Sequence, residues 1–191
     1  MSTLLAIALG ALAWSLTEYT LHRGLGHRAR SKNPFSVEHL KHHATVTWFA
    51  PTWKKGLAAA FALGVTAVPL RALFGLEGLI GSASFAATYV AYEIIHRRRH
   101  THPGRTAYGR WARRHHLHHH FSRPRLNHGV TSPVWDWVFG TLEVPAVVPV
   151  PRVSALPWMI GPDGELRAGL EAEYQLVGRS GATSAGLAPT A

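Results

Sequence analysis

Residues 57–68, LAAAFALGVTAV, decide the architecture. A buried helix of a soluble α-protein alternates apolar and polar faces. This stretch has almost no polar face, which reads as a helix surrounded by lipid. Working outward, residues 56–95 carry only Arg71, Glu77 and Glu93 as charges. That length fits two helices of about 20 residues, each able to cross a hydrocarbon core of about 30 Å. The turn between them is expected over Pro69–Gly78. Further out, Ser2–Leu21 is a third apolar block whose only charge is Glu18. A cleavable leader would carry positive charge ahead of its apolar run. The first basic residue here is Arg23, so the block reads as a retained span.

The flanks are basic and rich in histidine. The chain has 191 residues, with 20 Lys and Arg against 10 acids, and a net charge of +10. Sixteen of the basic residues lie in 22–55 and 96–125, and all 14 histidines lie in 22–43 and 96–128. A basic excess first points to nucleic acid. Alternation with apolar blocks points instead to a membrane protein with one positive side, so no nucleic-acid partner is expected. One span leads into the first basic stretch and a two-span hairpin joins it to the second. Both stretches therefore share one face, assigned to the cytoplasm. Arg97, Arg98 and Arg99 read as this topology signal, with contact to anionic headgroups as the alternative. With no cysteine, disulfides, thiolate nucleophiles and Cys-based zinc sites are excluded.

The histidines are spaced, not scattered. The first stretch holds His22 and His27, then His39, His42 and His43. The second holds His96 and His100, then His116, His119 and His120. Positions i, i+3 and i+4 share a helix face, so His39, His42 and His43 are expected to converge on one point, as are His116, His119 and His120. His22 and His27, five apart, sit about 140° apart on an ideal helix. Either the chain bends at Gly24 and Gly26 or the two rings serve different metals. Ten imidazoles exceed the usual four ligands of one zinc ion; shared by two ions they give about five each, and imidazole suits Fe, Zn and Cu. A neutral nitrogen shell calls for acidic partners behind it, with Glu18, Glu38, Glu93 and Asp136 as candidates. His102, His115, His118 and His128 lie outside the boxes, and for each a surface position weighs equally with a ligand or hydrogen-bonding role. His102→Ala and His115→Ala are expected to leave most activity, unlike alanine at His39, His43, His116 or His120.

Three other readings compete. HHLHHH at 115–120 resembles an expression tag but is internal. A membrane metal-binding or metal-transport protein would share the His-rich face, yet transporters place ligands near the midplane, and here the spans are read as free of histidine. A membrane zinc hydrolase needs a carboxylate base at an open site, and no acid lies between Ile94 and Trp135.

The ordered boxes HRGLGH, HLKHH, HRRRH and HLHHH, followed by NHGVTSPVWDWVFGT, resemble the fatty acid hydroxylase/sterol desaturase superfamily over residues 14–143. The resemblance implies an all-α integral membrane bundle of about three spans, with a cytosolic His-rich helical cap holding a dimetal site under a lipid channel. It implies His22, His27, His39, His42, His43, His96, His100, His116, His119 and His120 as ligands of two iron ions, with zinc possible in isolated protein. His118, His128, Glu38, Glu93 and Asp136 are secondary candidates. Molecular oxygen and external electrons would hydroxylate or desaturate a lipid, and the WDxxFGT ending favours a fatty acyl chain. Many relatives carry a longer N-terminus or a fused haem-carrying donor; neither is seen in this sequence, so a separate electron-donor protein is expected. His128 stands where an aromatic residue is usual. Trp14, Trp48, Trp53, Trp111, Trp135 and Trp137 read as an aromatic belt in preference to channel walls. Residues 1–143 form the membrane domain, 144–177 an extension packing on the cap, and 178–191 a frayed tail.

Overall fold

The structure, a computed structural model, describes residues 2–178. The expected tail at 178–191 therefore lies almost wholly outside the described residues. Helix α1 spans Thr3–Thr20, opened by Ser2, whose hydroxyl accepts from the Leu5 amide at 3.3 Å. It runs without a break into a π-helical segment, Leu21–Arg28. Helix α2 (Pro34–Ala44) starts on an Asn33 cap that accepts from the Ser36 amide, with proline at its first position, where no backbone N–H is needed. Helices α3 (Thr52–Phe74) and α4 (Leu76–Thr101) form the hairpin. Helix α5 is Ala107–Phe121 and α6 is the short Val134–Val138.

Three helical stretches are long and apolar enough to cross a membrane: Thr3–Arg28, Thr52–Phe74 and Leu76–Thr101. Helix α3 buries none of its residues against protein, and Phe61 is 71% exposed. In water that surface would be costly; against acyl chains it is not. Helix α4 packs on both α1 and α3. The α1–α4 crossing is close: a Cβ on Gly10 would lie 2.3 Å from the Gly81 carbonyl oxygen, so only glycine fits there.

The hairpin turn is tighter than the sequence indicated. Helix α3 continues through Pro69 to Phe74, and the reversal falls on Gly75 at φ +62°. Proline removes a single backbone donor, which a membrane helix tolerates; the left-handed glycine makes the turn. Helix α4 also extends past the apolar block and carries His96 and His100 in its last turns. The spans are thus not free of histidine, but it sits only at their ends.

Residues beyond 143 form a small layer on α5. Strands β1 (Val148–Pro151) and β2 (Tyr174–Val177) pair in parallel, Val148 opposite Tyr174. Val148, Val150, Leu156, Met159 and Tyr174 enclose Leu117 of α5 and Val46. The Trp158 indole donates to the His100 carbonyl at 2.9 Å, fastening this layer to the end of α4.

Candidate metal centre

The boxed histidines come from four helical pieces and gather into two adjacent groups. One nitrogen from each of His22, His27, His39, His43 and His119 lies within 4.8 Å of the others; His42, His96, His100 and His120 form a second such set. His116 joins the second through His100, Nε2 to Nε2 at 2.8 Å. The groups abut where His43 stacks on His120 at 4.0 Å between ring centroids.

Two sequence expectations are corrected by this arrangement. Each HxxHH box divides between the groups and does not converge on one point. The reason is helical: residues i+3 and i+4 diverge by about 100°. His42 therefore faces α4 while His39 and His43 face the π-helical segment, and His119 and His120 part in the same way. The His22–His27 alternatives are also resolved. The π-helical hydrogen bonding of Leu21–Arg28 runs i to i+5, which brings residues five apart onto one side. Their rings lie 5.2 Å apart in the same group. Gly26 is needed beneath them, since a Cβ there would lie 2.9 Å from His39 Cδ2.

Tautomers follow from the outer partners. His22 Nδ1 lies 2.5 Å from the His128 carbonyl, His42 Nδ1 lies 2.7 Å from that of Trp48, and His119 Nδ1 lies 2.6 Å from that of Leu126. A carbonyl only accepts, so each Nδ1 carries the proton and each Nε2 presents a lone pair inward. Burial lowers His42 to about 4, opposed only in part by the Trp48 hydrogen bond, and lowers His43 to about 2. His39, His116, His119 and His120 are likewise held well below their ordinary value by burial. These rings are neutral at pH 7.

The inward lone pairs have no adequate protein partner. His42 Nε2 meets His96 Nε2 at 3.1 Å and His100 Nε2 at 3.2 Å; His119 Nε2 meets His27 Nε2 at 3.0 Å and His43 Nε2 at 3.1 Å. One in-plane lone pair cannot take two donors. His22 Nε2 and both His120 nitrogens are buried with no hydrogen-bond partner. Nitrogens at right angles around an ion, each about 2.1 Å from it, would be about 3.0 Å apart. The donor set fits a metal ion in each group.

The acids predicted to back the ligands do other work. Glu38 pairs with Lys54 at 2.5 Å and Glu93 pairs with Lys55. Glu18 accepts from the amides of Val130 and Thr131. Asp136, fully buried, accepts from the amides of His128 and Gly129 and from the Thr141 hydroxyl, each at 2.8 Å, and lies 3.4 Å from His115 Nε2. Burial alone would raise Asp136, but these hydrogen bonds outweigh it and hold the carboxyl well below its ordinary value. Carbonyls of Trp48, Leu126 and His128 take the outer role, and no residue-type pattern marks a carbonyl. His115 and His128 are buried structural partners of Asp136, not surface residues. His118 bonds Glu143 at 3.0 Å, whereas His102 is exposed and meets only Thr101.

A cavity of about 660 Å³ opens beside the histidines. His22, His39, His42 and His96 line it together with Glu18, Glu38, Lys54, Lys55 and Glu93; Trp14, Phe61, Val65, Phe85 and Tyr89 form its apolar part. It lies among α1, α3 and α4, and its walls are mostly apolar.

Comparison with known proteins identifies the family. The fatty acid hydroxylase family model matches residues 7–141. A dihydroceramide fatty acyl 2-hydroxylase of Arabidopsis thaliana is 32% identical over 146 residues, covering 72% of this chain and 60% of the relative. A ceramide very long chain fatty acid hydroxylase of Schizosaccharomyces pombe is 32% identical over 142 residues, covering 70% of this chain and 41% of the relative. The solved structure of full-length scs7p, in which only the hydroxylase domain is visible, superposes with a TM-score of 0.55 at 30% identity, over 75% of this chain and 58% of that one. The match thus covers between 41% and 60% of the length of these relatives. The match runs from the first span through all four histidine boxes to Thr141, and this chain belongs to the fatty acid hydroxylase family.

Proposed function

We propose that this protein is a multi-pass membrane oxygenase that hydroxylates a lipid, with a fatty acyl chain as the group attacked. The observation that carries the reading is the opening of an apolar cavity between the spans onto two groups of neutral imidazoles. An acyl chain entering between α1 and α3 would lie along Phe61, Val65 and Phe85, with its reacting carbon near His22 and His96. The ten boxed histidines would hold two iron ions, with zinc as a competitor in isolated protein. Such a pair, when bound, activates molecular oxygen for attack on a strong C–H bond.

The chain's own residues do the rest. Carbonyls at Trp48, Leu126 and His128 fix three imidazole tautomers. The apolar walls align the chain and keep water away. Histidine is redox-inert, so a separate donor protein must supply electrons from the cytoplasmic, histidine-rich side. The dihydroceramide and ceramide acyl hydroxylation named for the relatives favours hydroxylation over desaturation. Residues 1–143 form the reacting domain and residues 144–177 brace its cap. Lipid extracts of cells with and without the gene, compared by mass spectrometry, test the reading. Hydroxylated acyl product is expected with the gene; its absence from metallated protein supplied with reductant would contradict it.

A further inference from the structure

The segment after the last histidine box has an inverted surface. Between Arg125 and Glu143 the only charged side chain is Asp136, and it is fully buried. On α6, Val134, Trp137 and Val138 stand at i, i+3 and i+4 and so share one face. They are 37%, 72% and 50% exposed, and Phe139 next to them is 47% exposed. The opposite side turns inward: Trp135 donates its indole N–H to Ser15 Oγ at 2.9 Å, and Asp136 gathers the 127–129 loop. A short helix with its charge inside and its apolar residues outside is not built to face water.

Its depth is set by α1. Phe139 stacks on Tyr19 at 5.2 Å, and Trp135 reaches Ser15. The apolar block of this span ends at Leu21, ahead of the first basic residue, Arg23, and Ser15 lies six residues inside that end, about 9 Å at 1.5 Å per residue. Helices lying in the plane of a membrane bury their apolar face about 5–10 Å into the headgroup and acyl boundary. The exposed face of α6 is therefore continuous with a span and at the level of that boundary.

We propose that α6 is an in-plane membrane contact, with Val134, Trp137, Val138 and Phe139 seated in the headgroup and acyl boundary of the bilayer. Through Asp136 the same helix holds the His128 and Gly129 amides, and the His128 carbonyl orients His22. Seating α6 in lipid thereby braces the first imidazole group from outside. The inference rests on the membrane reading of α1, α3 and α4.

The chain has no cysteine, so Trp137→Cys and Val138→Cys each give a single labelling site. Full-length protein carrying a nitrobenzoxadiazole label would be placed in phosphatidylcholine vesicles. Phe61→Cys, on the lipid face of α3, and Val153→Cys, 94% exposed in the C-terminal layer, serve as controls. The labels at 137 and 138 are expected to shift to the blue and to be quenched by lipid bearing a spin label high on its acyl chain. The label at 61 should be quenched by a deeper spin label, and the label at 153 by neither. Quenching at 61 with water-like emission at 137 and 138 overturns the inference alone. A blue shift at 137 without lipid quenching means that a protein surface, such as a second copy, covers the face, and also overturns it. No lipid quenching at 61 overturns the membrane reading and the inference together.

Discussion

The two imidazole groups use the same side chain but are built differently. The second, His42, His96, His100 and His120, is assembled on regular α-helices: His96 and His100 are one turn apart on α4, and three of the four rings are fully buried. The first, His22, His27, His39, His43 and His119, needs a π-helical segment, a glycine with no room for a Cβ and carbonyls from the 126–128 loop; three of its five rings are only half-buried. The difference teaches that equal ligand chemistry does not imply equal robustness. A group on regular helices is held by the fold itself, while one on a π-helix depends on every neighbour that keeps the irregular segment in place.

The strongest way to break this comparison is to delete one ligand from each side. His22→Ala and His42→Ala should each abolish hydroxylated product, and each should remove one of two bound ions while leaving the other, as metal analysis at matched expression would show. Loss of both ions from either variant would mean that the groups are one cooperative site. A finer probe is the glycine pair in the π-helical segment. Gly26→Ala should weaken metal binding at the first group by about 10- to 100-fold, the scale of disturbing a ligand's support, because His39 must move. Gly24→Ala, whose Cβ would meet nothing within 4 Å, should bind normally in the same competition titration.

Stability separates ligands from their supports. His115→Ala removes a fully buried ring beside Asp136 and leaves a cavity, a loss of about 2–5 kcal/mol that a thermal melt would register, with both ions still bound. His102→Ala, at an exposed ring, should change neither melt nor metal. A further test is pH linkage in metal-free protein. His42 falls to about 4 in the fold against 6.5 in the unfolded chain, so between these values the unfolded chain binds more protons. Its contribution is complete above about pH 6.5 and is lost as pH falls toward 4; melting temperature should decline over that window. A melt that rises on acidification would contradict the buried neutral rings.

Much of this was legible in the sequence, and the illegible part has a common cause. The three spans follow from hydropathy alone, and the histidine boxes from helical spacing. The division of each box between two groups was implicit in the 100° step between His42 and His43 but depends on which helices flank α2. The π-helix at Leu21–Arg28 has no compositional mark beyond Gly24 and Gly26. The partners of His22, His42 and His119 are carbonyls, which every residue possesses. Asp136 was singled out as an acid behind the ligands, but it bonds none of the boxed rings and instead holds the His128 and Gly129 amides.

Counting metal in anaerobically purified protein supplied with ferrous iron tests the central claim most directly. Anaerobic handling matters because zinc outcompetes ferrous iron at nitrogen sites. Two tightly held ions per chain are expected from the two groups of inward-facing imidazoles, with iron as the metal retained. A stoichiometry that saturates at one ion or fewer would contradict the two-site reading.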